Sequence, residues 1–145
     1  MIATNQQALL LWSTSWLTCY SSIQAYKKEL PDLSFATGCV FITSLLYWRN
    51  PRNNWIRILD MGTSASSILY HIWKSVILIP HKNRYPFYLL GTFLLYPTSW
   101  YCYQHKKYWL SFYLHALMHI CGNASNLYLY NRISNSNMIE YVHDK

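Results

Sequence analysis

The sequence predicts an all-α fold: a multi-pass transmembrane helical bundle of about five spans. Three observations predict it. The 145 residues are 52% hydrophobic and 18% aromatic but only 12% charged, against roughly 25% charged in soluble domains. The apolar residues gather in five long runs, separated by short joins that hold basic residues or prolines. Each run approaches the ~20 residues a helix needs to cross ~30 Å of hydrocarbon. The mean hydropathy is close to zero, low for such a protein, because 14 tyrosines and many Ser, Thr and Asn dilute the runs.

The first run, 8–26, is the most dilute, with Ser13, Thr14, Ser15, Thr18, Ser21 and Ser22 inside it. It has no basic stretch before it and no small-residue cleavage site, so it is expected to be retained as a span rather than removed as a signal peptide. The second run, 33–48, follows Pro31, and the third, 55–79, follows Pro51. The fourth, 86–103, follows Pro80 and opens on Pro86, and these prolines fall at joins, where a missing N–H does least harm. Pro97 falls inside it and should kink it. The fifth is 108–130. Short joins make neighbouring helices antiparallel. Residues 1–132 therefore read as one helical transmembrane domain, and 133–145 (ISNSNMIEYVHDK) as a polar C-terminal tail, loosely held. No internal repeat is evident. β-barrel strands are excluded because the runs are twice the ~10 residues a spanning strand needs and do not alternate.

The net charge of +7 does not imply a nucleic-acid partner. Lys27 and Lys28, then Arg49, Arg52 and Arg57, then Lys82 and Arg84, then Lys106 and Lys107 sit between the apolar runs, where they would meet lipid headgroups. A nucleic-acid face would gather them on one helix or stripe. Membrane lipids are the expected partners and the integral membrane the expected location. Lys and Arg divide too evenly between the two sides to orient the bundle. Cys19, Cys39, Cys102 and Cys121 are scattered singly, without the paired spacing of a zinc or redox motif.

Four polar residues interrupt the runs: Ser44, Asp60, His115 and His119. Polar groups in hydrocarbon are expensive and mark candidate functional sites. Measured at ~1.5 Å per residue from the tryptophans that flank one side, Ser44 lies about 6 Å deep, Asp60 about 7–8 Å and His115 about 9 Å, with His119 one turn deeper. His115 and His119 share a helical face, which Ser111, Asn123 and Asn126 extend. Asp60, Ser64, Ser67 and His71 form a second stripe. His71 lies too deep to join the four and is expected to serve the opposite interface with Lys74, which can snorkel. Two histidines at this spacing can share a metal ion, and a carboxylate can ligate it or activate its water. Equally, the histidines could only hydrogen-bond between helices, and Asp60 could pair with Arg57.

The order of these residues resembles the CREST superfamily of multi-span hydrolases, which includes alkaline ceramidases, adiponectin-receptor-type proteins and Per1-like lipid-remodelling enzymes. Ser44 in SLLYW, Asp60 in RILD and the HxxxH of His115 and His119 match its motif order. The resemblance implies a metal-dependent membrane hydrolase acting on lipid amide or ester bonds. In it, zinc would be held by His115, His119 and Asp60, while Asp60 and Ser44 would support the attacking water and the oxyanion. Two features depart from the pattern. Trp48 stands where the first zinc-binding histidine should be, and there is room for about five spans where the family has seven. The reading taken from the residues themselves is a small multi-pass membrane protein with a polar His/Asp/Ser cluster near one membrane face, with the hydrolase as its alternative.

Overall fold

The computed structural model describes residues 4–51, 54–79 and 83–143, with side chains to residue 136. Among them the chain is all helical: α1 (Asn5–Lys27), α2 (Pro31–Arg49), α3 (Asn54–Leu78), α4 (Tyr85–Gln104) and α5 (Tyr108–His143). The five predicted runs are thus five helices, extended by a few residues where capping permits. Thr4 accepts from the Gln7 N–H while the Gln7 side chain accepts from the Thr4 N–H, a capping box that starts α1 three residues before its apolar run. Pro31 and Pro86 sit in first turns, where no N–H is needed. α4 runs through Pro97, whose missing N–H leaves the Phe93 carbonyl without its helical partner. Pro80, Lys82 and Arg52, expected at joins, lie outside the described residues.

The membrane expectation is corrected. Among the described residues no helix is long and apolar enough to cross a membrane, so five spans and an integral membrane location are not supported. The helices have the expected positions, but Ser and Tyr lie inside every run, with Thr in the first four and Asn in the fifth, and the apolar content that remains falls short of a span. The outward faces nevertheless carry large apolar side chains, with Phe35 75% exposed, Phe87 73% and Trp55 71%.

α5 does not stop at residue 130. It continues helical through His143, and Ile133, the first residue of the expected tail, is fully buried. It belongs to an apolar cluster with Leu30, Leu33, Tyr85, Leu129 and Tyr130. A second cluster, centred on Leu11, Tyr47, Trp48 and Phe112, closes the opposite end of the bundle.

Helix order around the bundle is α3, α2, α1, α5, α4, with α3 and α4 scarcely touching. The ring therefore stays unclosed between α3 and α4, and a polar layer lies between the two apolar clusters.

Two of the turns are alike. At the end of α1, Glu29 takes a left-handed conformation (φ 59°) and the Leu30 N–H donates to the Ala25 carbonyl over 3.1 Å. At the end of α4, Lys106 does the same (φ 60°), and the Lys107 N–H donates to the Cys102 carbonyl over 3.0 Å. These are Schellman-type ends without the usual glycine. Beside each turn a serine pair bridges the hairpin. Ser22 and Ser34 exchange bonds to each other's carbonyls at 2.8 and 2.9 Å, and Ser99 donates to the Ser111 carbonyl at 2.9 Å. Ser22 to Ser99, Glu29 to Lys106 and Ser34 to Ser111 are separated by one constant offset, so the α1–α2 and α4–α5 hairpins share the same turn and serine bridge.

Candidate functional site

The polar layer encloses a cavity of about 310 Å³ to which all five helices contribute. α1 supplies Thr18, α2 supplies Thr37 and Ser44, and α3 supplies Asp60, Ser64 and Ser67. α4 adds the apolar wall of Leu89, Phe93 and Tyr96, and α5 adds His115, His119, Asn123 and Asn126. The structure brings Ser44, Asp60, His115 and His119 to one cavity, as their shared depth implied. The period of α3 and α5 places their polar stripes on it.

Asp60 is held by α2. Ser44 Oγ donates to Asp60 Oδ1 over 2.7 Å and Thr43 Oγ1 donates to the same oxygen over 3.1 Å. Oδ2 receives no hydrogen bond from the described residues, and Asp60 forms no ion pair among them, with Arg57 or otherwise. Burial pushes the Asp60 carboxyl above its ordinary range, and the bonds from Ser44 and Thr43 only partly oppose it.

The two imidazoles lie edge to face, with ring centroids 5.1 Å apart. His119 Nδ1 is 3.0 Å from Thr14 Oγ1. Because the Thr14 hydroxyl hydrogen already reaches the Leu11 carbonyl, the imidazole is the donor and its Nε2 is left as an acceptor. His115 Nδ1 is buried with no partner. Burial lowers the His119 pKa to about 4 and, with the neighbouring His119, that of His115 to about 3. Both rings are neutral at physiological pH. Both line the cavity.

These residues do not fit a zinc centre. Among the described residues no group of three or more His, Cys, Asp or Glu side chains could hold a metal ion. Asp60 is engaged by hydroxyls of α2 rather than placed beside the imidazoles. The indole of Trp48 packs edge-on to His115, with centroids 5.5 Å apart, and so fills with an apolar ring the position where the resemblance needs a third histidine.

A second cluster was missed at the sequence level. His71, expected at an interface with Lys74, is fully buried. Its Nδ1 lies 2.7 Å from the Ser67 carbonyl, which can only accept, so Nδ1 carries the proton. Burial lowers the His71 pKa, and Nε2 of the neutral ring then accepts from Tyr130 Oη at 2.9 Å. Tyr130 Oη is also 2.8 Å from Thr37 Oγ1. The stripe of Asp60, Ser64, Ser67 and His71 was the available signal, but its partner Tyr130 lies on another helix at no fixed spacing. Lys74 instead pairs with Asp32 at 2.6 Å. Burial raises the Asp32 pKa, but bonds from Lys74 and Tyr70 outweigh it and bring the value to about 2. Tyr130→Phe is expected to lower stability by about 1 kcal/mol, because His71 Nε2 would keep only the longer 3.4 Å contact with Thr37 Oγ1. Urea unfolding of both chains at neutral pH measures it.

No protein-family model, curated protein or solved structure matches this chain.

Proposed function

We propose that the chain is a binding module for a small lipophilic molecule bearing an amine, with the ammonium seated at Asp60. One observation carries this reading: a partly buried carboxylate with no cation paired to it among the described residues faces a cavity whose other walls are largely apolar. The volume is at the lower end of the range for small-molecule sites, and a few polar groups set in an apolar lining are characteristic of such sites. Ser44 and Thr43 fix one carboxylate oxygen and leave the other for a ligand. The cavity offers acceptors at this end, since His119 Nε2 is unprotonated and the Asp60 carboxylate accepts only. A group rich in N–H donors satisfies them. An ammonium would also remove the cost of burying the Asp60 charge and bring its pKa back down.

Titration of the purified chain with octylamine, followed by calorimetry, tests the reading. Saturable binding is expected, weakened about tenfold or more by Asp60→Asn, as loss of a charge-assisted contact of about 1.5–3 kcal/mol implies. Asparagine keeps the shape and still accepts from Ser44. Equal affinity for both chains, or no binding to either, would overturn the proposal.

A further inference from the structure

The cavity has two unlike sides. Ser64, Ser67 and Asn126 make one side polar, whereas the side toward α4 is largely apolar. The apolar side is also where the ring of helices stays unclosed. Met61, Ala65 and Phe93 line the cavity there, yet Met61 is 48% exposed, Phe93 49%, and Ala65 is exposed as well. Residues that belong both to a cavity wall and to the molecular surface mark its mouth. The cavity therefore opens sideways, between α3 and α4.

Helical spacing continues this mouth into a slit. On α3, Ile58, Met61, Ala65, Leu69, Ile72 and Val76 follow one another every three or four residues and form an apolar stripe with no polar member. On α4, Pro86, Leu90, Phe93, Pro97 and Trp100 do the same, and α4 has no Asp, Glu, Lys or Arg along its length. Leu69 is 67% exposed and Leu90 58%, each one turn from a residue of the mouth. Because α3 and α4 scarcely touch, the stripes bound an open slit. It begins beside the carboxylate, since Met61 follows Asp60 directly.

An amine seated at Asp60 has two directions for its remaining atoms. Toward Ser64, Ser67 and Asn126, a hydrocarbon would take water from polar groups and give them no bond in return. Toward Met61, Ala65 and Phe93 it meets apolar side chains and gains by leaving water. The second direction leads out through the slit.

We infer that the ligand is a single-chain amphiphile, with its ammonium at Asp60 and an alkyl tail lying along the slit between the α3 and α4 stripes. This rests on the amine-binding reading above and names its ligand class. The continuity of cavity wall and slit assigns the stripes to the tail, because Met61, Ala65 and Phe93 belong to both.

Calorimetry of the purified chain with octylamine, decylamine and dodecylamine, each below its aggregation threshold, tests it. A fully buried CH₂ is worth about fourfold in affinity and a half-buried one about twofold. Dodecylamine is thus expected to bind about tenfold or more tightly than octylamine, one molecule per chain. Leu69→Gln/Leu90→Gln should cut that gain to about threefold or less. Ile23→Gln should leave it unchanged, since Ile23 is 48% exposed on α1, the middle helix of the open ring, and does not line the cavity. If octylamine binds and the longer amines bind no more tightly, the inference is overturned and the amine site stands. The same holds if Ile23→Gln lowers the gain as much as the slit variant does. A chain that sediments as a dimer and turns monomeric in the slit variant would give the stripes to a second copy, and also overturns it. If no amine binds, both readings fall.

Discussion

Acidification from pH 6.5 to pH 4 is expected to unfold the bundle before most carboxylates are protonated. His115 and His119 are neutral in the folded chain, with pKa values lowered to about 3 and about 4. In the unfolded chain they return to about 6.5. Their contribution is fully present above the unfolded value. It is lost as pH falls, because the unfolded chain then binds protons that the folded chain refuses. Each shift of one pKa unit corresponds to 1.36 kcal/mol, so by pH 4 the two rings together withdraw several kcal/mol. That is comparable with the whole stability of an ordinary domain. His71, lowered by burial, acts in the same sense. Asp60 acts in the opposite sense over this window: its raised pKa means that the folded chain gains protons. Asp32, lowered to about 2, stabilises the fold above its unfolded value and loses that contribution mainly as pH falls below about 4. Circular dichroism followed against pH should show a steep helix loss in this window. His115→Phe/His119→Gln, in which Gln keeps a donor for Thr14, should shift the transition to lower pH. A native chain that keeps its helicity and urea midpoint to pH 4 would show that the imidazoles are not buried neutral.

Ile133→Ala is expected to cost about 2–5 kcal/mol, the range for emptying a fully buried aliphatic site. Ile133 is 0% exposed and is clustered with Leu30, Leu33, Leu129 and Tyr130. The expected loss is far larger than for a residue in a loosely held tail, where substitutions stay within about 0.5 kcal/mol. Thermal and urea unfolding of the variant decide between the two. A cost below about 0.5 kcal/mol would mean that the last turns of α5 add nothing to the core.

The number, order and approximate limits of the five helices were legible in the sequence, because continuous apolar runs and prolines at joins act locally. The sharing of one cavity by Ser44, Asp60, His115 and His119 was also legible, since antiparallel helices of known rise fix depth. Membrane crossing was misread. Run length suggested it, but the Ser, Thr, Asn and Tyr residues within the runs leave no described helix apolar enough. The inward period of Leu129, Tyr130 and Ile133, all fully buried, was not legible because the polar string SNSN follows it.

Residue order along the chain sets which groups are available: one carboxyl and two histidines on helices that must lie side by side. Packing sets what they do. It gave Asp60 to the hydroxyls of Ser44 and Thr43, put the Trp48 ring beside His115, and joined His71 to Tyr130 across helices. Depth along a helix follows from residue count, but azimuth and partner follow from which helices pack together. Here α3 and α4 stay apart, and the polar groups line a cavity instead of closing on one another.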